Sequence, residues 1–329
     1  MNPRRRLLLG AASALALGVN PARAQSGAAH RIAFLSGGTQ ADAAGFFPSL
    51  VAALADYGYR EGQNLVLDRG FANYSAEQAA KLAAAMAAQR PAVVVANGSG
   101  IGAAVRLSPA IPVVFLHSGD PVDAGLVDSY PRPGRNATGV SMMALDLIAK
   151  RVELLKQIQP QLRRLAFLAS PEHAGQRHEL AASQAAAAQF DIAVNYYEAR
   201  TPAELAGVLP KVAADKPDAA LLFSDALMVG QRRPLAEFFL RHRIPSAAGW
   251  IAFPEAGHLL SYGPERGALW KRLAYFVDRI LKGARPADLP VELPAVVEFG
   301  LNRRTATQMK LHIPPAMLAR ADRIIDTAL

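Results

Sequence analysis

The chain has 329 residues and no cysteine, which excludes disulfides, thiolate metal sites and a cysteine nucleophile. Apolar residues make up 51% and charged residues 19%, enough to build a sizeable core in one large or two medium domains. Four of the 36 basic residues lie in the first 24 positions; the remaining 32 face 27 acidic residues, about +5, which makes no case for a nucleic-acid partner.

The first segment in chain order reads as a leader. MNPRRRLLLGAASALALGVNPARA has a basic start, an apolar middle from Leu7 to Val19 and a small-x-small end at Ala22-Arg23-Ala24. That is the pattern of a secretory signal cleaved before Gln25. Its apolar middle is short for a bilayer span. Arg4-Arg5 followed by Leu7-Leu8 resembles a twin-arginine signal, with an ordinary Sec signal as the alternative. No cysteine follows the cleavage site, so no bacterial lipid anchor is expected. No later apolar run has the length of a membrane helix, so no stable membrane insertion is expected and the mature chain is placed in the periplasm.

From His30 onward two kinds of segment alternate. Continuous apolar runs predict strands at Arg31–Leu35, Ala92–Ala96, Ile111–Leu116, Arg164–Ala169 and Ala219–Phe223. Helical periodicity predicts helices over Ala41–Tyr57, Ala76–Gln89, Leu145–Gln159, Gln176–Gln189, Pro202–Ala214, Gln231–His242 and Glu265–Leu281. Uninterrupted apolar strands suit burial on both faces, and strands separated by helices give βαβ units with a parallel sheet. The series runs twice, from about Arg31 to Gly119 and from about Arg164 to Gly249, with the turn-rich "YPRPGRNATGVS" as a crossing between them. The expected fold is therefore α/β: two Rossmann-like lobes whose strand C-termini face a shared cleft, where ligands of open parallel sheets bind.

Small polar residues follow each strand: Ser36-Gly37-Gly38-Thr39, Asn97-Gly98-Ser99-Gly100, His117-Ser118-Gly119-Asp120 and Ser224-Asp225. Glycine admits a ligand close to the backbone, and a helix N-terminus offers N–H groups to a carboxylate. Asp120 and Asp225 can accept from an ammonium group, so the set suits a zwitterion such as an amino acid. Each residue taken singly is also an ordinary helix cap or turn residue. Trp250, after "IPSAAG", is a cleft wall or a core residue, and Trp270 is assigned to the core.

Gly98-x-Gly100-x-Gly102 after a strand, with Asp120 about 20 residues on, resembles a dinucleotide fingerprint. The third glycine comes one residue early for G-x-G-x-x-G, and the unit does not open its domain. Other enzyme signatures are missing: no HExxH, no G-x-S-x-G elbow, no phosphate-binding G-x-x-x-x-G-K-[ST], and His173 and His178 are spaced five apart rather than four. His117 is the one histidine at a predicted strand end.

Several stretches resemble the ABC transporter substrate-binding family, periplasmic binding proteins of the type I, flytrap-like fold. They are "ADYGYREGQNLVLDRGFA", "IPVVFLHSGDPVDAGLV", "RPGRNATGVS", "KRVELLKQIQP", "LSYGP", "YFVDRILKGARPADLPVELP" and "LNRRTATQMKLHIPPAMLARAD". The resemblance covers nearly all of the mature chain. It implies two lobes joined by a hinge of three crossings, with lobe 1 at 25–143 plus 252–286 and lobe 2 at 144–251 plus 287–329. It also implies a small-molecule ligand, delivery to a membrane permease with a cytoplasmic ATPase, and a monomer without cofactor or metal. Some relatives bind aromatic amino acids. The family's binding loops fall on Ser36, Gly37 and Gly38, on Asn97, Gly98 and Ser99, on Ser118, Gly119 and Asp120, on Gly139-Val140-Ser141, on Asp225, and on Gly249 and Trp250, and His117 beside them is a further candidate as a strand-end residue. Asn97-Gly98, His117-Ser118 and "AAGWIAF" depart from the family pattern within the expected cleft, so the relatives' ligand does not carry over. The expected function is capture of an amino acid or related amphipathic, aromatic compound, without catalysis. The rival readings are an exported dinucleotide-dependent oxidoreductase and a sensor-type receptor domain.

Overall fold

The computed structural model describes residues 29–107, 109–171 and 176–326. The expected leader, residues 1–24, and His173 lie outside the described residues.

The first half of the chain runs β1 (His30–Ser36), α1 (Gln40–Ala43), α2 (Phe47–Asp56), β2 (Leu65–Phe71), α3 (Ala76–Ala88), β3 (Val93–Asn97), α4 (Ser99–Leu107), β4 (Val113–His117) and β5 (Ala137–Ser141). These strands form one parallel sheet in the order β2-β1-β3-β4-β5. The inner strands β1, β3 and β4 are buried on both faces, which is why their sequences read as unbroken apolar runs. Edge strand β2 alternates buried and exposed positions.

The chain crosses at Met142–Met143, where Met143 takes a left-handed conformation at φ 52°. The second half runs α5 (Ala144–Ile158), β6 (Arg164–Ala169), α6 (Gln176–Ala188), β7 (Ala193–Glu198), α7 (Pro202–Asp215), β8 (Ala219–Leu222), α8 (Ala226–Gly230), α9 (Arg232–His242), β9 (Ser246–Ala248), α10 (Ala252–Glu255) and β10 (Leu260–Pro264). After α11 (Arg266–Leu281) come β11 (Val297–Asn302), α12 (Arg303–Met309), α13 (Pro315–Arg320) and β12 (Arg323–Ile325). The second sheet has the order β12-β11-β10-β9-β8-β6-β7, parallel except between β10 and β11.

Helix α11 leaves this sheet and packs on the first one. Its Leu269, Trp270, Leu273, Phe276 and Val277 join a core with Phe34, Leu50, Leu54 and Val114. The second crossing therefore falls at Pro264–Arg266, later than the boundary at 252 expected from the sequence, because β10 still pairs with β9. Downstream, Thr138 Oγ1 donates to the Leu289 carbonyl and Glu292 N–H to the Gly139 carbonyl, so 289–292 runs beside β5 and the third crossing follows Glu292 rather than 286. The lobes are thus joined by three crossings.

The predicted helix Ala41–Tyr57 is broken in two. Thr39 and Asp42 form a capping box that starts α1, and Pro48 sits in the first turn of α2, where its missing N–H costs nothing.

Candidate ligand-binding cleft

Parallel pairing brings the strand ends of the first lobe into register. Ser36 lies opposite Asn97, Asn97 opposite Leu116, and His117 opposite Ser141. From the second lobe Ser170 follows β6, Ser224-Asp225 follow β8, and Gly249-Trp250 follow β9. The two sets line one cavity between the lobes. Of the residues expected at the cleft, Ser36, Gly38, Asn97, Gly98 and Ser118 line it from the first lobe, and Asp225 and Trp250 from the second. Trp250 packs against the cores of both lobes, which makes it a wall between them.

Gly37, Gly98, Ser99 and Asp225 also border a smaller interlobe space beside Tyr74. The Ser99 hydroxyl is buried there with no hydrogen-bond partner.

The other expected residues stand behind the wall. Successive side chains on a strand point to opposite faces, and Leu116 and Ser118 take the cavity face, so His117 does not. The His117 ring meets Phe115 edge-on, and its carbonyl accepts from Met142 N–H. Asp120 is a turn residue: its Oδ1 accepts from Val122 N–H at 2.7 Å and Asp123 N–H at 3.3 Å. Ser141 Oγ donates to the Gly119 carbonyl at 3.0 Å, which ties β5 to the turn after β4 at the first crossing. Gly249 donates to Ser224 Oγ, and a β-carbon on it would lie 2.9 Å from the Arg151 guanidinium. His117, Gly119, Asp120, Ser141 and Gly249 are therefore outside the lining.

The glycine series also has a packing explanation. Gly98 turns the chain at φ 56°, and a β-carbon on Gly100 would lie 2.8 Å from the Leu35 carbonyl oxygen, so α4 can lie this close to β1 only with glycine there. Among the described residues no group of three His, Asp or Glu side chains is placed to hold a metal ion. His178 is exposed, with Asp123 at 3.9 Å.

Several lining residues went unread in the sequence: Asp42, Phe46, Met142, Arg266, Leu269 and the cavity face of Trp270. Phe46 and Trp270 stack face to face, ring centres 4.6 Å apart and 2° from parallel. Trp270 is in the core, as expected, but it also lines the cavity. The guanidinium of Arg266 lies 5.5 Å from the Phe46 ring and 4.9 Å from the Trp250 ring, bridging the lobes by cation–π contact. Trp270 four residues after Arg266 in a predicted helix was a signal that the two share a face; what that face meets was not legible.

The charges of the cleft differ in how they are engaged. Asp42 Oδ2 accepts from Thr39 N–H at 2.8 Å, Thr39 Oγ1 at 2.7 Å and the Tyr74 hydroxyl at 2.6 Å. Burial, then the Asp42 carboxylate, pushes the Tyr74 hydroxyl well above its usual pKa. Asp225 caps α8 through Met228 N–H at 2.8 Å and accepts from Ser170 N–H of the neighbouring strand end at 2.7 Å. Burial pulls Arg266 down to about 10, with Arg232 acting in the same direction and Glu255 and Glu265 opposing it. It remains a cation at neutral pH. The arrangement offers flat apolar walls, several hydroxyls and an amide, one guanidinium, and two carboxylates already engaged as caps.

Comparison with known proteins finds relatives of the same fold. Residues 40–325 match the family described as ABC transporter substrate binding protein. A tyrosine-binding protein of Clostridioides difficile is 23% identical over 257 residues, 78% of this chain and 73% of the relative. The structure of an ABC domain in complex with L-Trp from Streptococcus pneumonia is 22% identical with a TM-score of 0.83, covering 91% of this chain and all of that one. A conserved domain protein from Vibrio cholerae is 25% identical with a TM-score of 0.84, covering 90% and 99%.

Proposed function

The chain belongs to the ABC transporter substrate binding protein family, and from that premise we propose that it captures an amino acid or a related flat, amphipathic compound between its lobes. The observation that carries this reading is the interlobe cavity at the strand C-termini, walled by Phe46 and Trp270 on one lobe and Trp250 on the other. Aromatic rings prefer offset or edge contacts with a flat ligand, and each such contact adds to the apolar area buried. A tyrosine-binding relative and an L-Trp complex of similar fold are consistent with it.

Ligand is held without chemistry. Both cleft carboxylates serve as caps, and no histidine is among the lining residues. Walls contributed by two lobes mean that ligand stabilises the closed form by the difference between its contacts in the closed and open states. The mature chain works in the periplasm, after removal of residues 1–24, and hands its cargo to a membrane permease driven by a cytoplasmic ATPase.

Thermal melting of the mature protein, refolded to remove resident ligand, tests this against amino acids, aromatic acids, purines, sugars and NAD(P). Ligand at about 100 times its Kd adds roughly 2.7 kcal/mol, a rise of several degrees for a chain of this size. A rise with an aromatic amino acid or acid is expected. A rise with NAD(P) alone overturns the reading.

A further inference from the structure

We propose that the cleft reads the carboxylate of its cargo through Arg266, beside the Trp270 ring, and makes no demand for an α-ammonium group, so that the cargo class is aromatic monocarboxylates rather than amino acids as such. The inference rests on the aromatic-cargo reading above and narrows it.

Arg266 and Trp270 are four residues apart on α11 and so share one face of the helix, and both line the cavity. Arg266 makes cation–π contacts to Phe46 and Trp250 but no hydrogen bond or ion pair with any described residue. The nearby acids are engaged elsewhere: Glu265 accepts from Gly267 N–H and Ala268 N–H at 2.7 Å, and Glu255 meets Arg323 at 3.3 Å. Trp270 is 3% exposed, and its indole N–H is buried with no acceptor. Buried donors without acceptors are uncommon and costly in a folded protein. The guanidinium, five donors and no acceptor, matches a carboxylate, which Arg binds in a two-point fork, and the Trp270 ring beside it supplies a flat wall.

The acidic side of the cleft is arranged oppositely. Asp42 is held by three donors from Thr39 and Tyr74, and Asp225 by two backbone N–H groups. A carboxylate so engaged is a weak partner for an ammonium group. Arg232, whose Nη1 donates to the carbonyl of the lining residue Val229, adds a second positive charge near Arg266. Within the cleft, the Arg266 end is therefore the place that suits an anion.

Isothermal titration of the refolded mature protein with matched probes tests the proposal: indole-3-propionate, tryptophan, tryptamine and 3-methylindole, and the phenyl analogues of each. The expected result is that the acid binds at least as tightly as the amino acid, and that the amine does not bind. Arg266→Gln should lower affinity for the acid by roughly 30-fold or more, the scale of a lost charge-assisted hydrogen-bonded pair. It should lower the affinity for 3-methylindole far less than for the acid, and Arg266→Lys should fall between. Binding of tryptamine, binding of tryptophan more than about 10-fold tighter than the acid (about 1.4 kcal/mol), or equal affinities in Arg266→Gln overturns this inference while sparing the aromatic reading. Failure of every aromatic probe to bind folded parent protein overturns both.

Discussion

Gly230 of α8 lies so near the opposite lobe that a β-carbon on it would sit 2.5 Å from Asp42 Oδ1, and closer still to the Tyr74 hydroxyl. Tyr74 in turn packs against the core of the second lobe, although it belongs to the first. These contacts, with Ala226 against Gly38, set the two lobes against each other across the cleft. A side chain at position 230 collides only when the lobes are together. Gly230→Val should therefore hold the lobes apart, weaken ligand about 10-fold or more, and leave the melting temperature of the ligand-free protein near that of the parent. Small-angle scattering with saturating ligand checks it: the variant should keep the larger radius of the ligand-free form.

Trp250 is half-buried between two cores and under the Arg266 guanidinium. Its removal opens one wall of the cavity without emptying either core. Trp250→Ala should raise the Kd of aromatic ligands about 10- to 100-fold, as expected for a buried aromatic anchor, with a loss of stability below about 2 kcal/mol. Titration and urea unfolding of the same preparation separate the two effects.

Asp225 is 4% exposed and satisfies backbone donors on two elements, Ser170 after β6 and Met228 in α8. Asp225→Ala leaves both N–H groups buried without acceptor. We expect a cost of about 3 kcal/mol in unfolding free energy, with any loss of ligand binding following from displacement of the β8–α8 turn. A variant that is as stable as the parent would contradict the capping role.

His258 is fully buried, with Ser246 Oγ at 2.8 Å from Nδ1 and the Arg232 carbonyl at 2.8 Å from Nε2. A carbonyl can only accept, so Nε2 carries the proton and Nδ1 accepts from Ser246. Burial, the main cause, pulls its pKa from 6.5 to about 4. Between these values the unfolded chain binds a proton that the folded chain refuses. Stability is therefore full above pH 6.5 and falls as pH drops toward 4, by about 3 kcal/mol for this group when complete. Urea unfolding at pH 7 and pH 4 should show the gap between parent and His258→Gln shrinking by that amount.

The elements legible in the sequence are those whose environment is uniform along their length. Strands β1, β3, β4, β6 and β8 are buried on both faces, so continuous apolar runs mark them within two residues. Edge strands β2 and β7 alternate burial and carry polar residues such as Asp68 and Asn195, and they went unread. Strand β5, "ATGVS", owes its burial to β4, to α11 and to the segment at 289–292, neighbours that the local sequence does not show.

By itself the sequence determined two α/β lobes with polar strand ends, because local periodicity and breaker residues report on burial and turns directly. Only the tertiary structure decided which of those polar groups reach the cleft. His117, Asp120 and Ser141 looked equivalent to Ser36, Asn97 and Ser118, but side-chain direction on a strand and the pairing of a turn depend on register, which a single sequence does not carry. Likewise Arg266 and Trp270 read as ordinary helix residues, since their chemistry comes from what they face: a crossing places α11 on the first lobe, and Trp250 of the second lobe closes over it.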